Sequence, residues 1–189
     1  MDINQALALD NGARFFRGDL HIHSIAGSHD VSDATATPEA IVATARTEGL
    51  DIIAIADHNE IAGVGPAIEA AEGTGLLVVP AVELSTAHGH ILCYFGTLDA
   101  LTRFHAKLSL ADRNTANSRC SNGVVDILDL VKQGGGFAIL AHVDGGKGLE
   151  TEIPGNPPHK KDIICHAALL GIELKRADSD ISYSDLDPD

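Results

Sequence analysis

Along this chain, histidine, aspartate and glutamate repeatedly stand at the ends of apolar runs. His21-Ile22-His23 closes one run; Asp57-His58 follows residues 50–56 (LDIIAIA); Glu83 follows 76–82 (LLVVPAV); His90 opens 90–95 (HILCYF); His142 follows 137–141 (FAILA). A core gains nothing from polar side chains so placed. Parallel strands, by contrast, gather their C-terminal ends on one face of a sheet or barrel, where sites are built. The pattern therefore predicts an α/β fold in which these side chains converge.

Strand and helix signals alternate accordingly. In residues 19–24, Leu20 and Ile22 alternate with His21 and His23, and period two sets both histidines on one face. Thr37-Pro38-Glu39 starts a helix with a capping threonine, proline at the first helical position and an acid in the first turn. Gly49 ends it. Residues 50–56, 76–82, 90–95 and 137–141 read as buried strands, the first as a parallel strand covered on both faces. Residues 61–72 read as helical after Pro66, 100–120 as one or two helices, 124–132 as a helix stopped by Gly134-Gly135-Gly136, 160–170 as a helix and 171–175 as a strand. Strands mostly separated by helices predict a parallel sheet. The Gly/Pro-rich stretch 145–159 reads as a rim or lid. Residues 1–14 form a polar lead-in, 15–177 a single domain and 178–189 an acidic tail.

Composition narrows the class. The 189 residues are 44% apolar and 21% charged, a soluble globular balance sufficient for one core. No apolar run reaches the ~18 residues of a membrane span. Residues 1–12 lack the pattern of a signal peptide, so a cytoplasmic location is expected. Cys93, Cys120 and Cys165 show no CxxC spacing and read as small buried hydrophobes. The net charge of −14 argues against nucleic acid as a partner of the isolated domain.

Imidazoles and carboxylates without thiolates suit zinc, manganese or iron. The donors are too many for one tetrahedral ion, which points to two or three divalent ions. Two ions ~3.5–4 Å apart share a hydroxide and hold the oxygens of a displacement on phosphorus.

The segments GDLHIHS, IAIADHN, AVELSTAHGHILCYF and AILAHV resemble the successive motifs of the PHP domain (polymerase and histidinol phosphatase) family, over residues 17–175. The resemblance implies a distorted (β/α)7 barrel with a trinuclear centre and phosphoesterase activity on a small phosphorylated substrate through a metal-bridging hydroxide. It implies His21, His23 and Glu83 on a first metal, Glu83 with His90 and His142 on a second, and Asp30 with His58 on a third. Asp57 is implied to orient a ligand or water. SHD before Val31 and the tail YSDLDPD are similar to PHP domains fused to ATPase-like proteins of the TrlF-like group, so a C-terminal ATPase-like region is an expected partner. The family's closing Asp-x-His pair and last strand are missing here, which implies either a chain cut before its final motif or a natural variant with an incomplete third site.

The alternative is a non-catalytic metal-binding structural or regulatory domain of a larger ATPase or nucleic-acid-processing protein. An amidohydrolase, whose barrels also begin with HxH, fits less well, because no bridging lysine follows a strand. Among the remaining polar residues, His88 and His29 are candidates to protonate the leaving group or bind substrate. Lys147, Arg17, Arg14, Lys160 and Lys161 are candidate phosphate contacts, with Lys147 and Arg17 joining His29 as the substrate-binding set. Gly145 to Gly148 resembles a phosphate loop but lacks the Ser or Thr after its lysine, so nucleoside triphosphate is not expected there.

Overall fold

The computed structural model describes residues 16–181 and residue 183; Arg14, the lead-in and most of the acidic tail lie outside them. Three parallel strands, β1 (Gly18–Ile22), β2 (Ile52–Ile55) and β3 (Leu77–Val78), form one sheet in that order. A second sheet runs β4 (Ala81–Thr86), β5 (Gly89–Tyr94), β8 (Phe137–Leu140), β9 (Leu169–Ile172). A parallel bridge from His58 to Glu83 joins the end of β2 to the middle of β4. The helices are α1 (Pro38–Thr47), α2 (Val64–Ala71), α3 (Leu98–His105), α4 (Val124–Gln133), α5 (Leu149–Glu152) and α6 (Pro158–Ile164). Among the described residues no helix is long and apolar enough to cross a membrane.

Local chemistry explains several boundaries. The Thr37 side chain accepts from Ala40 N and caps α1, as its sequence predicts. Thr97 caps α3 in the same way, through Ala100 N. α2 starts at Val64, ahead of the expected start after Pro66. Proline sits in its first turn, where a missing N–H needs no partner.

The sheet is not all parallel. β5 runs antiparallel to both β4 and β8, which corrects the expected parallel sheet, and no sheet closes among the described residues. Residues 76–82, read as one strand, divide at Pro80 into β3 and β4, which belong to different sheets. Proline has no N–H to give to a ladder, so pairing breaks there. Residues 106–120 are not helical; they carry a small hairpin of β6 (Leu110–Ala111) and β7 (Arg119–Cys120). The final helix and strand lie earlier than expected, with α6 ending at Ile164 and β9 at Ile172. The rim stretch is partly ordered by α5. Cys165 is exposed, unlike the buried Cys93 and Cys120.

Period two sorts each strand into an outer and an inner face. On β2, Ile53 and Ile55 pack with Val42, Ala45, Ala67 and Ala71 of α1 and α2, while Ala54 and Ala56 pack with Ala81, Leu92 and Tyr94 of the second sheet. On β5, Ile91 and Cys93 face the larger cluster of α3 and α4, and Leu92 and Tyr94 face inward. Glu83 is in phase with Ala81, and His90 with Leu92, so both lie on the inner face. The Tyr94 hydroxyl donates to Leu20 O at 2.9 Å and ties the sheets together across that interior. β1 departs from strict alternation, because its register shifts between Asp19 and Ile22. Leu20 consequently packs in the inner cluster and Ile22 in the outer one.

Ile127 of α4 is completely buried in the larger cluster. Ile127→Ala is expected to cost about 2–5 kcal/mol in urea unfolding, and a loss below about 1 kcal/mol would show that the helix does not pack there.

Candidate metal centre

Strand direction brings the donors together. β1, β2 and β8 deliver His21, His23, His58 and His142 at or just beyond their C-terminal ends. Glu83 lies within β4 rather than at its end, and β5 begins where β4 finishes, so His90 returns beside it. Five imidazoles thereby surround one fully buried carboxylate. Glu83 Oε1 lies 3.0 Å from His90 Nδ1 and 3.2 Å from His142 Nε2. Glu83 Oε2 lies 3.2 Å from His21 Nε2, 3.0 Å from His23 Nε2 and 3.1 Å from His58 Nδ1. Asp30 adds a second carboxylate, 3.2 Å from His23 Nδ1 and 3.6 Å from His58 Nε2.

His90 Nδ1 and His142 Nε2 are placed to hydrogen-bond Glu83 Oε1, but the three nitrogens facing Oε2 are not arranged as donors to it. Oε2 is buried within reach of all three and still accepts no well-directed hydrogen bond. His142 Nδ1 is likewise buried without a partner. His21 Nε2 and His23 Nε2 approach to 3.1 Å, so the two facing nitrogens have room for one proton, not two. A cation between them would give Oε2 and the two facing imidazole nitrogens a common partner. Among the described residues, three donor groups have ligand atoms within 4.8 Å of one another: His21, His23 and Glu83; His23, Asp30 and His58; His58, Glu83 and His90. Imidazole and carboxylate donors of this kind fit divalent transition ions.

The residue 19–143 region of the chain matches the PHP domain. The chain belongs to the PHP domain family. Over 68 residues it is 38% identical to a 5'-3' exoribonuclease of Haemophilus influenzae, covering 36% of this chain and 23% of that protein, so it spans about a quarter of that relative's length. The lesion-specific endonuclease EndoQ of Pyrococcus furiosus superposes with a TM-score of 0.65 at 20% identity, over 84% of this chain and 42% of that one. A Bifidobacterium adolescentis protein assigned as a metal-dependent phosphoesterase superposes with a TM-score of 0.58 at 18% identity, over 85% and 77% of the two chains. At such identities the two structures show a shared fold.

The electrostatics of this PHP domain follow from burial and neighbours. Burial opposes ionisation of Glu83, but the imidazoles around it, His142 foremost, outweigh that and hold its carboxyl far below the usual range. Burial also opposes the charge on His21, yet Glu173 and Glu83 together lift it to about 10. His23 is raised against burial by Glu83 and Asp30. His58 falls to about 4, because burial and the nearby His23 and His90 outweigh its carboxylates.

Several supporting residues escaped the sequence reading. Glu173, just past β9, accepts from His21 Nδ1 at 3.0 Å and from the His142 backbone N–H at 3.0 Å, so one carboxylate fixes two candidate ligands. The strand-end rule that singled out the other donors applies to it as well. His142 needs that support, since its φ of 30° is costly for a residue with a Cβ. Asn59 (φ 57°) is fully buried and uses every polar group. Its N–H donates to Glu83 O at 2.8 Å, its Oδ1 accepts from Ser85 N at 3.0 Å, and its Nδ2 donates to Ser118 Oγ at 3.0 Å. His105 Nε2 lies 3.0 Å from its carbonyl oxygen. Ser28 Oγ lies 2.9 Å from His23 Nδ1 and accepts from His58 N at 3.1 Å.

The remaining sequence candidates divide. Asp57 is completely buried, with its oxygens 2.5 Å from Ser24 N and 2.7 Å from Ser24 Oγ. It fixes the turn behind His23 and presents no oxygen to a substrate. Burial raises its pKa. A Cβ on Gly27 would fall 2.7 Å from Asp57 Oδ2, and one on Gly63 2.6 Å from Ser24 Oγ, so both glycines are required by close approach. His29 is exposed, with its ring 5.1 Å from that of His58. The His88 ring packs on His159 at 5.5 Å, and its contacts do not reach the cluster. Arg17 precedes β1 at the opposite end of the sheet, where Nη1 donates to Glu48 O at 2.9 Å beyond α1. Lys160 is buried, donating to Glu150 at 2.7 Å and Gly155 O at 2.9 Å, so it is a structural tie rather than a phosphate contact. The Lys147 side chain is 70% exposed and 3.7 Å from Glu152, while its backbone oxygen accepts from His90 N at 2.9 Å.

Two outcomes follow. A metal takes only a neutral ring nitrogen, and His21 with its value of about 10 is protonated in the metal-free chain at about pH 8. Zinc or manganese binding is therefore expected to release protons, read by calorimetry in buffers of different ionisation enthalpy, and to weaken as pH falls; absence of net release would contradict this electrostatic picture. Glu173→Gln is expected to lower metal affinity by about 10–100-fold, and unchanged affinity would show that its bonds to His21 and His142 do not orient ligands.

Proposed function

We propose that this PHP domain is a metal-dependent phosphoesterase that hydrolyses a phosphate ester by attack of an activated water. The observation that carries the reading is the buried Glu83 carboxylate, ringed by five imidazoles with Oε2 left without a directed hydrogen bond. His21, His23, Asp30, His58, Glu83, His90 and His142 would hold two or three divalent ions, of zinc, manganese or iron. Such ions supply a nucleophile at neutral pH and offset charge on the phosphoryl oxygens.

The chain's own residues do the rest. Glu83 offers one oxygen to the His21, His23 and His58 side and the other to His90 and His142, so it links neighbouring donor groups. Asp30, with its side chain 49% exposed, stands on the open side of His23 and His58. His29 is the better placed of the two candidate proton donors, because it is exposed beside His58 whereas His88 is engaged with His159. A proton from His29 to the departing alkoxide completes the hydrolysis.

A small phosphorylated compound is the simplest substrate. The net-charge argument against nucleic acid does not hold, since one relative is a 5'-3' exoribonuclease and one fold neighbour an endonuclease. A phosphate monoester and a 5'-phosphorylated oligonucleotide should both be offered. Hydrolysis is expected to stop with a strong chelator and return with manganese or zinc. Glu83→Gln is expected to lower the rate by on the order of 100-fold or more, since a lost ligand costs more than a lost supporting residue. Turnover indifferent to the chelator would overturn the reading.

A further inference from the structure

A cleft of about 280 Å³ opens beside the donor cluster, lined by His21, His142, Gly146, Glu173 and Lys175. It is slightly smaller than a typical small-molecule site of roughly 300–1,000 Å³, which suits a phosphate group and the atoms next to it. His21 and His142 form one wall. Lys175 stands with them in the same cleft, although nothing in the sequence pattern had singled it out.

Its position is built rather than incidental. The Asp144 carboxylate, with only 1% of the side chain exposed, accepts from Lys175 N at 2.6 Å and Arg176 N at 3.2 Å and so fixes the backbone. The side-chain stem lies over Gly145, where an added Cβ would meet Lys175 Cδ at 3.3 Å. Neighbouring cations are engaged elsewhere: Lys147 with Glu152, Lys160 with Glu150 and Arg176 with Asp144. No carboxylate among the described residues pairs with the Lys175 ammonium. Glu173 is the anion in the cleft, and its oxygens are taken by His21 and His142 N.

We infer that Lys175 is a substrate-binding residue that holds a phosphate oxygen on the His21–His142 side of the metal centre. The inference rests on the phosphoesterase reading for its substrate class. A bond from an ammonium to a phosphate oxygen is charge-assisted and strong, and a partly enclosed cleft screens it less than open solvent would.

The test uses the full chain loaded with manganese and inorganic phosphate as probe, with binding followed by broadening of the phosphorus resonance. Lys175→Met is expected to weaken phosphate binding about tenfold, with Lys175→Arg retaining most of the affinity. On a phosphate ester, Lys175→Met is expected to raise KM by a similar factor with kcat little changed, because the contact exists before and during reaction. Metal content should match the wild type. Lys132→Met, which removes an exposed charge from α4, should change nothing. Phosphate that does not bind the wild type, or binds Lys175→Met within about twofold of it, overturns the assignment. A wild type that binds phosphate but hydrolyses no ester sinks the phosphoesterase reading and leaves the binding comparison to decide on Lys175.

Discussion

The buried carboxylate of Glu83 governs the architecture around it. A charge removed from water costs several kcal/mol unless it is neutralised where it stands. Glu83 sits inside β4, with no exposed surface, and five imidazoles carried by β1, β2, β5 and β8 or the turns at their ends close around it. Without a cation, imidazole protons are what offset its charge, and Glu83 raises both His21 and His23, helped by Glu173 and Asp30. The same rings cannot all be protonated, since His58 is pushed the other way by its neighbours. A site that stays frustrated by protons and is relieved by divalent charge is built for metal.

Convergence of this kind needs a stiff frame, and the frame is made from polar groups around the donor cluster. Asp57 pins the turn that carries His23 through Ser24, and Gly27 and Gly63 let that pair be approached from both sides. Asn59 joins the His58 turn to β4, α3 and the β6–β7 hairpin at one point. Glu173 fastens β9 to both His21 and the strained His142. Each bond links segments far apart in sequence. The donor cluster and the packing of the two sheets around it are therefore one problem with one solution.

That distinction also marks what could be read from the residues alone. His21, His23, His58, Glu83, His90 and His142 were legible because strand-end position and donor chemistry are both local properties of the sequence. The α/β alternation and the capping threonine of α1 were legible for the same reason. The division of residues 76–82 at Pro80 was not, because which sheet each half joins depends on partners elsewhere. The antiparallel course of β5 was hidden likewise: six residues reveal burial but not direction. Glu173 obeyed the strand-end rule yet was passed over, since a glutamate in an exposed-looking GIELKR stretch carries no sign of the two ligands it serves. Lys175 lacked even that cue, for its meaning lies in a cleft shared with His21 and His142.

Net charge misleads for a related reason. The value of −14 weights every carboxylate equally and ignores where each one is. Glu83 and Asp30 are spent on the donor cluster, Asp144 and Glu173 accept hydrogen bonds at its edge, and Glu60 and Glu150 are engaged by Arg113 and Lys160. In the cleft beside the cluster stands Lys175, whose ammonium is paired with no carboxylate among the described residues. Surface acids farther away act through screened water, where their influence fades over about a Debye length of 8–10 Å. The total charge therefore does not report the charge balance beside the donor cluster. For the proposed phosphoesterase, that local balance rather than the total bears on what can bind, whether the phosphate belongs to a metabolite or to the end of a nucleic acid.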